Sequence, residues 1–323
     1  MRAIKILLGG SPCTFWSIAQ RNNRETIAEG MGWELFKNYL IAKEKFKPDF
    51  FLYENNKSAA QAIKEQICKE LGVDLMYCDS ALVSAQRRQR FYCFNWNAEQ
   101  PIDRGVLLKD IIEGEFYGLY SDYNNSITHD KARTIGTGIG TQRSTTHQQV
   151  ILYPVGIKKI AKGGQKDEIY EITFPDGSHR IDSVRKYVRN LTPIECERLQ
   201  TLPDGYTAKA SNAQRYKQLG NGWTAEIILH LLKQGLQDIP RDTEIVALSL
   251  YDGIATGRYC LDKLGFTNVT YHAYEIDKHA MSVAMDNYPD IIQHGDAFAV
   301  RDDNWTPPQT RSEWLDGLLG GVM

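Results

Sequence analysis

The sequence predicts a doubly wound α/β fold, because apolar runs along the chain have the composition of buried parallel strands. These runs cover residues 3–10, 49–53 and 244–250. Reactive or polar side chains follow them: Cys13 comes after the first run and Glu54 after the second. Open α/β sheets place their chemistry at the carboxyl ends of their strands, so these side chains are candidates for a functional site.

Helical segments alternate with the strands in the first hundred residues, near 30–45 and 58–71. A helix is expected to begin after Thr192, because Thr192 suits the capping position, Pro193 the first helical position and Glu195 the third. Residues 223–237 have the pattern of an amphipathic helix. Residues 105–188 contain turns, glycines and short alternating segments, which predict small strands.

Composition limits the classes of function. The chain has 323 residues, 42% hydrophobic content and a net charge of −2, which allow a large catalytic domain with a small insert. Six cysteines without Cys-x-x-Cys spacing argue against zinc or a disulfide scaffold, so we expect no metal and a reducing cytoplasm. The apolar runs are too short for a membrane span or a signal peptide, so no membrane partner is expected.

A third segment adds guanidinium groups to the thiol and the carboxylate. Residues 86–90 read Gln-Arg-Arg-Gln-Arg and lead into an aromatic run. Taken singly, these features are more often a core cysteine, a helix N-terminal acid and a solvated basic face. Taken together and in this order, they indicate a site for covalent catalysis.

These motifs resemble those of the DNA C5-cytosine methyltransferase family. The resemblance includes residues 189–200 and 218–222, and it covers most of the chain outside residues 105–188. It implies a Rossmann-like S-adenosylmethionine-dependent core with a small target-recognition domain. It also implies double-stranded DNA as the substrate and S-adenosylhomocysteine as a product.

The order of the motifs differs from that of the family, in which the cofactor motifs come first. Here they come last, and residues 251–257 resemble the cofactor loop of the animal de novo DNA methyltransferases. Residues 318–321 also repeat the letters of residues 7–10. We therefore expect a circular permutant, divided into a catalytic half (1–104), a target-recognition region (105–188), return helices (189–237) and an S-adenosylmethionine-binding half (238–323).

The resemblance assigns roles to the catalytic motif residues. Cys13 would attack C6 of a flipped-out cytosine, because this addition makes C5 a better nucleophile. Glu54 would hold or protonate N3, and Arg88 would orient the ring and balance charge. A loop over residues 14–30 would close on the DNA. The supporting residues of the site would be Ser17, Gln86 and Arg90.

The resemblance also assigns the cofactor site. Glycines in the loop after residue 250 would allow close approach of the methionine moiety, Glu275 would bind the ribose hydroxyls, and Asp296 would meet the adenine amino group. A nicotinamide site is disfavoured, because Gly-x-Gly-x-x-Gly is absent. The expected cofactor-binding residues are Pro12, Asn221, Tyr251, Asp252, Gly253, Ile254, Gly257, Glu275, Ile276, Asp296 and Ala297.

Residues 131–166 form a local basic segment with seven Lys or Arg residues and no Asp or Glu. A solvated loop would explain such a run in isolation. Its place between the arginine motif and Arg189 is that of the family's recognition region, which favours DNA contact with a short target sequence. The expected DNA-binding residues are Arg21, Arg24, Lys131, Arg133, Arg143, Lys158, Lys159 and Lys162.

Some positions depart from the family pattern. Asn56 stands where an apolar residue is usual, Ile276 where many members have tryptophan, and Gly222 where a small apolar or hydroxyl residue is common. These departures are expected to affect the affinity for ligands more than the catalytic activity, since no catalytic group is lost.

Two alternative functions remain open. One is a catalytically inactive DNA-binding relative, against which the intact Cys13, Glu54 and Arg88 argue. The other is an RNA cytosine C5 methyltransferase, against which the basic insert argues. We expect a monomer, and the resemblance allows a cognate restriction endonuclease as a partner.

Overall fold

The chain forms two compact units in the computed structural model, which describes residues 2–18, 24–121, 126–137, 148–152, 156–162, 168–310 and 312–313. The first unit comprises Met1–Asp79, Gln89–Pro101 and Ala225–Met323, and the second comprises Ser80–Arg88 and Ile102–Thr224. The second unit therefore contains the expected recognition region together with residues 189–224, which we expected to return to the core. Only the part from Ala225 onward joins the first unit.

The elements alternate as predicted in the first unit and are mostly short strands in the second. The strands are β1 (Ile4–Gly9), β2 (Phe50–Asn56), β3 (Leu75–Asp79), β4 (Gln86–Arg87), β5 (Gln89–Phe94), β6 (Gly118–Ser121), β7 (Ser126–Thr128), β8 (Ala132–Arg133), β9 (Gln149–Ile151), β10 (Gly156–Lys162), β11 (Glu168–Thr173), β12 (His179–Asp182), β13 (Val188–Asn190), β14 (Ile245–Leu250), β15 (Val269–Tyr274) and β16 (Ile292–Gln293). The α-helices are α1 (Gly30–Phe46), α2 (Gln61–Leu71), α3 (Pro193–Leu199), α4 (Asn212–Asn221), α5 (Ala225–Gly235), α6 (Thr256–Lys263) and α7 (Lys278–Asn287). None of these described helices has the length and hydrophobicity that crossing a bilayer requires.

A seven-stranded, mostly parallel sheet is the centre of the first unit. Its strand order is β16-β15-β14-β1-β2-β5-β3. β1 pairs in parallel with β14 on one side and with β2 on the other, whereas β5 is antiparallel to both of its neighbours. This arrangement confirms the predicted α/β class.

Helices cover both faces of this sheet. On one face, Leu7 and Leu248 pack in the same cluster as Phe36 and Tyr39 of α1, and all four are buried. On the other face, α6 approaches so closely that a Cβ on Gly257 would lie 2.7 Å from Leu8 Cδ1. Each fully buried side chain of this kind contributes roughly 2 kcal/mol to folding.

The second unit has small sheets around its own core. Strands β13-β9-β6-β7 form one sheet and β10-β11-β12 another, while β4 pairs with β8. Tyr120 and Ile151 from the first sheet pack with Tyr170 and Ile172 from the second. The alternating pattern at residues 168–174 thus gives a strand, as predicted, with one face in this core.

The start of α3 confirms the predicted capping motif. Thr192 Oγ1 accepts from Glu195 N at 3.1 Å, and Glu195 Oε2 accepts from Thr192 N at 2.7 Å. The Arg189 guanidinium pairs with the fully buried Glu195 carboxylate at 2.6 Å. Burying this carboxylate is tolerated because it is paired and hydrogen-bonded. Its Oε1 also accepts from Glu113 N at 2.9 Å, which joins the segment to the rest of the second unit.

Candidate functional site

Cys13 lies in the loop directly after β1, at the carboxyl edge of the sheet. It begins a short 3-10 helix, Cys13–Phe15, and Pro12 precedes it. The backbone amides of Trp16 and Ser17 donate to Cys13 O at 3.1 and 3.0 Å, so the turn is closed by its own backbone. The Cys13 side chain is partly exposed. The backbone of Cys13 is therefore held in place, while its side chain remains partly exposed to solvent.

Asn55 fastens the thiol loop to the end of β2. Its Nδ2 donates to Ser11 O at 2.9 Å and to Tyr53 Oη at 3.1 Å, and Ser11 Oγ lies 2.7 Å from Tyr53 Oη. All three side chains are buried. Asn55 is not among the site residues predicted from the sequence, although a polar amide at the end of an apolar strand is a recognisable indication.

Glu54 is the neighbouring residue on β2 and carries the only carboxylate that the resemblance placed beside the target base. Its Oε1 lies 3.0 Å from Arg90 Nε, and both side chains are largely buried. Strands β2 and β5 bring the pair together, because Glu54 and Arg90 lie on adjacent antiparallel strands. A buried carboxylate paired with one guanidinium is held in a defined orientation.

Arg88 has different surroundings, within the second unit. Its guanidinium donates to Ile135 O at 3.1 Å, to Gly220 O at 3.0 Å and to Gly222 O at 2.8 Å. We therefore revise the expected division of roles: Arg90 holds Glu54, and Arg88 binds backbone carbonyls. The two arginines differ because the chain passes from the second unit to the first between Arg88 and Gln89.

Gln86 supports the same part of the second unit. Its Oε1 accepts from Ile135 N at 2.7 Å, and its Nε2 donates to Leu199 O at 3.2 Å. Gly220 packs against the adjacent backbone, because a Cβ there would lie 2.4 Å from Gly136 C. These contacts hold the segment that leads into residues 138–147, which lie outside the described residues.

The loop after Cys13 has its own anchors. Arg24 donates from Nε to Trp16 O at 3.2 Å and from Nη2 to Ser58 O. Trp16 Nε1 donates to Glu25 Oε2 at 3.0 Å. Arg24 was expected to bind DNA, but in this structure its guanidinium binds two carbonyl groups of the protein.

The loop between β14 and α6 has an unusual backbone. Tyr251, Gly253 and Ala255 have φ values of 60°, 64° and 62°, in the left-handed region that favours glycine. Two hydrogen bonds hold the Tyr251 side chain: its hydroxyl donates to Leu35 O at 2.8 Å and accepts from Asn38 Nδ2 at 3.1 Å. A Cβ on Gly253 would meet nothing within 4 Å, so the loop faces open space there. Strained backbone beside open space is typical of a ligand-binding loop.

Two carboxylates lie along this loop. Glu275, at the end of β15, accepts from Gly253 N at 2.9 Å and from Ile276 N and Asp277 N at 2.8 Å. Asp252 Oδ1 accepts from Tyr271 Oη at 2.7 Å, while Oδ2 is buried without a described hydrogen-bond partner. Burial raises the pKa of Asp252 from 3.8 to about 6, and the nearby Glu275 adds to this shift.

The remaining cofactor candidates of the first unit follow the ends of its strands. Ile276 has 72% of its surface exposed, which suits an apolar contact with a flat ring, and Asp296 caps the next short helix through Phe298 N at 2.9 Å. Ile254 and Ala297 are buried beneath the edge. Asn221 is the last residue of α4 in the second unit, and its role stays a prediction. An unpartnered buried acceptor, an open glycine and an exposed apolar side chain fit S-adenosylmethionine.

The predicted DNA-binding residues lie in several settings. Lys158 and Arg133 are at least partly exposed on β10 and β8, whereas Lys131 donates its ammonium protons to Ser84 O at 3.2 Å and to Ala81 O. Arg21 and Arg143 lie outside the described residues. The side chains of Lys159 and Lys162 also lie outside them, although the backbone of both belongs to β10. Their contact with DNA stays a prediction.

The fold and the site define a class of enzyme. A doubly wound sheet carries a glycine-containing loop after β14, an acid at the end of β15 and a thiol after β1, and this combination is that of an S-adenosylmethionine-dependent methyltransferase. The family model of C-5 cytosine-specific DNA methylases matches residues 1–236. The chain belongs to this family, and it is an enzyme that transfers a methyl group from S-adenosylmethionine to C5 of cytosine in DNA.

Two sequence relatives, both Type II methyltransferases, agree with this assignment. The Type II methyltransferase M.HpaII of Haemophilus parainfluenzae is 28% identical over 243 residues, which cover 67% of each chain. The Type II methyltransferase M.HhaI of Haemophilus parahaemolyticus is 27% identical over 264 residues, covering 70% of this chain and 74% of the relative. A solved structure of a DNMT2 mutant from Spodoptera frugiperda has 18% identity and a TM-score of 0.42, covering 71% of this chain and 78% of that one.

Replacing Arg88 with alanine should destabilise the protein. The carbonyl groups of Ile135, Gly220 and Gly222 would each lose a guanidinium donor, and only Gly222 O would keep a second described side-chain donor, Gln200 Nε2 at 3.2 Å. This loss costs about 3 kcal/mol in the free energy of unfolding. Arg87 is the matched control, because it is the exposed neighbour on β4, and its replacement with alanine should change stability by less than about 0.5 kcal/mol. Urea unfolding measures both; equal stability of the two variants would contradict the structural role of Arg88.

Replacing Asp252 with asparagine should stabilise the protein at high pH and not at low pH. The folded-state pKa of Asp252 is about 6, above the usual 3.8, so below pH 3.8 the carboxyl group is neutral in both states. As the pH rises through 6, ionising the buried group costs the native state about 3 kcal/mol, which the neutral amide avoids.

Unfolding free energies at pH 4 and pH 8 test this expectation. The exposed Asp238→Asn variant is the control, because it removes the same charge without burial. An Asp252→Asn variant whose advantage over wild type is the same at both pH values would argue against a buried, neutral carboxyl group.

Proposed function

We propose that Cys13, Glu54 and Arg90 carry out the methyl transfer. The observation that supports this most strongly is the geometry of β2, because successive residues of this strand hold the loop of the nucleophile and supply the acid. Asn55 binds the backbone of the thiol loop at 2.9 Å, and the adjacent Glu54 is paired with Arg90 at 3.0 Å. A nucleophile and an acid held by successive residues of one strand keep a fixed relation to each other.

The Cys13 thiolate forms a bond to C6 of a cytosine that has left the duplex stack. The 5,6 double bond supplies its electron pair to C5, which becomes nucleophilic, and negative charge develops over N3 and O2. After methyl transfer, loss of the C5 proton and departure of the thiolate restore the double bond. The net change replaces the C5 hydrogen with a methyl group and releases one proton.

Glu54 counters the charge that develops at N3. It takes up a proton when the cytosine binds, donates a hydrogen bond or that proton to N3 when Cys13 adds to C6, and recovers the proton when the double bond is restored. Arg90 orients this carboxyl group through the 3.0 Å contact to Oε1 and balances the charge left after proton transfer. Arg88 and Gln86 act at a distance from this step, by holding the second unit's backbone near Ile135.

S-adenosylmethionine, when bound, supplies the electrophilic methyl group. Asp252 offers a buried, unpartnered Oδ2 for the ammonium group of the methionine moiety. Glu275 is expected to bind the ribose hydroxyls, although its oxygens already accept three backbone amides. Asp296 and Ile276 are expected to contact the adenine.

Covalent trapping tests the nucleophile. A random duplex library containing 5-fluorocytosine, with S-adenosylmethionine, should give a denaturation-resistant adduct, because fluorine at C5 blocks the final elimination. The adduct should be absent from Cys13→Ala and reduced at least about 100-fold in rate in Glu54→Gln. Denaturing electrophoresis measures the adduct, and sequencing of the trapped DNA identifies the target.

Cys68→Ala is the matched control, since Cys68 is another partly exposed thiol. Its adduct should form as in wild type. An adduct that survives in Cys13→Ala would assign the nucleophile elsewhere. Adduct formation on RNA in place of DNA would favour an RNA cytosine C5 methyltransferase, and no adduct with either would favour a catalytically inactive relative.

We also propose that the chain is a circular permutant of the family. The family match ends at residue 236, before β14, and the strands after that point lie beside β1 in the sheet order β16-β15-β14-β1. The loop after β14 is the one that resembles the cofactor loop, which other members carry ahead of the thiol motif. The resemblance of this loop to that of the animal de novo enzymes remains part of the same proposal.

Reversing the permutation tests this interpretation. A variant that begins at Pro240, joins Met323 to Met1 through a flexible linker and ends at Ile239 should fold and bind S-adenosylmethionine within about threefold of the unpermuted sequence, because the paired strands are unchanged. Calorimetric titration measures the binding. A variant that folds to the same stability but binds no cofactor would contradict the equivalence of the two orders.

We propose a biological role like that implied by the names of the Type II relatives, in which a monomer methylates a short target in the cytoplasm beside a cognate restriction endonuclease. The six free thiols support a reducing compartment. Sedimentation of the purified chain at twice the monomer mass would contradict a monomer. Cleavage of methylated target DNA by an endonuclease encoded next to this chain would contradict the protective role.

A further inference from the structure

Asn38 is a buried polar residue in the middle of α1. It is completely shielded from solvent, although its helical neighbours Trp33, Phe36 and Tyr39 belong to the apolar core of the first unit. Burying an amide lowers stability unless its hydrogen bonds are formed inside the protein. The partners of Asn38 should therefore explain why an amide stands at this core position.

Both ends of the Asn38 amide are used. Arg301 Nε donates to Asn38 Oδ1 at 2.5 Å, and Asn38 Nδ2 donates to Tyr251 Oη at 3.1 Å. Because a guanidinium group only donates, the amide oxygen faces Arg301 and the NH₂ group faces Tyr251. The Tyr251 hydroxyl in turn donates its own proton to Leu35 O at 2.8 Å. These hydrogen bonds fix the orientation of all three side chains.

The two partners of Asn38 belong to the two segments that are expected to enclose S-adenosylmethionine. Tyr251 is the first residue of the loop after β14, and Arg301 is the last residue of the short 3-10 helix that Asp296 caps. Burial raises the pKa of Tyr251 to about 12, and the charge of Asp296 adds to this increase. The expected cofactor residues Tyr251 and Asp296 therefore lie within electrostatic reach of each other.

The loop after β14 depends on support from outside itself. Tyr251 and Ala255 both have left-handed φ values, 60° and 62°, although neither is a glycine. Such a backbone persists only where the surrounding structure holds it. Asn38 and Leu35 supply this support from α1, through the Tyr251 hydroxyl. A loop that is already held in its binding conformation loses less entropy when the ligand binds, which raises affinity.

We propose that Asn38 is a positioning residue for S-adenosylmethionine. Its amide fixes the Tyr251 loop relative to the Asp296 segment, so that one ligand contacts both segments at once. Asn38 acts through Tyr251 and Arg301 and not by touching the cofactor. This inference rests on the proposed cofactor site, and it gives α1 a function in cofactor binding that the sequence motifs do not indicate.

A double-mutant cycle tests this role. Asn38→Leu replaces the amide with an apolar group of the same branching, and Tyr251→Phe removes the hydroxyl that Asn38 holds. Calorimetric titration without DNA measures the affinity of wild type, both single variants and the double variant for S-adenosylhomocysteine.

Lys45→Met is the matched control. Lys45 joins the same helix to the same segment, through Val300 O at 2.9 Å and Asp302 O at 3.0 Å. None of its described hydrogen bonds reaches the loop after β14. Its replacement should therefore lower stability but leave the affinity for S-adenosylhomocysteine within about twofold of wild type.

Asn38→Leu should bind S-adenosylhomocysteine about 10- to 50-fold more weakly than wild type, because the loop is no longer held for the ligand. Tyr251→Phe should lose a similar factor. The double variant should bind at most about threefold more weakly than Tyr251→Phe, since the hydrogen bond between the two side chains is already absent. In methylation assays, Asn38→Leu should raise KM for S-adenosylmethionine and keep kcat within about threefold. A general loss of stability would not produce this lack of additivity.

Other results overturn the inference. If the losses in Asn38→Leu and Tyr251→Phe multiply, or if Asn38→Leu binds within about twofold of wild type, Asn38 does not act through the loop. An equal loss of affinity in Lys45→Met would assign the effect to the packing of α1. If Asn38→Leu fails to fold, the same cycle with Asn38→Asp decides, since aspartate keeps an acceptor for Arg301 and removes the donor to Tyr251.

Asp296→Ala separates this inference from the proposed cofactor site. A variant that binds S-adenosylhomocysteine at least about 10-fold more weakly supports that site, whatever the cycle shows. Binding equal to that of wild type would place the cofactor elsewhere and would remove both proposals.

Discussion

The parallel pairing of β1 with β14 is the contact on which the rest of the catalytic unit depends. The six paired positions run from Ile4 with Ile245 to Gly9 with Leu250, so the two strands end at the same level. The thiol loop and the cofactor loop therefore leave the sheet side by side. A slip of one residue would turn every side chain of one strand to the opposite face, and the apolar helices on both faces prevent this.

Polar side chains at the strand ends then turn a shared edge into a site. Buried amides and hydroxyls are acceptable there because most of them bind each other, as Asn55 does with Ser11 and Tyr53. Two of the buried side-chain atoms without a described partner belong to residues at this edge, Asp252 Oδ2 in the loop after β14 and Asn56 Nδ2 at the end of β2, whereas others, such as those of Gln218 and Gln293, lie elsewhere in the described residues.

Much of this arrangement could be predicted from local patterns. Apolar runs located β1, β2 and β14, and the Thr192 cap located the start of α3, because these features depend on nearby residues. The roles of Arg88 and Arg90 could not be separated in this way. Both belong to one motif, and only tertiary contacts show that the first binds carbonyl groups of the second unit while the second binds Glu54. The same holds for Arg24 and Lys131, whose charges are used inside the protein.

The pairing of β1 with β14 also has a consequence for synthesis on the ribosome. β1 leaves the ribosome before the whole of the second unit, whereas its partner β14 begins only at Ile245. Until then β1 has one unpaired, apolar edge, which is a site for association with other chains. The second unit, complete at Thr224, has all its residues available before β14 appears. The second unit can therefore fold while the chain is still growing, whereas the sheet of the first unit is completed only after β14 has been synthesised.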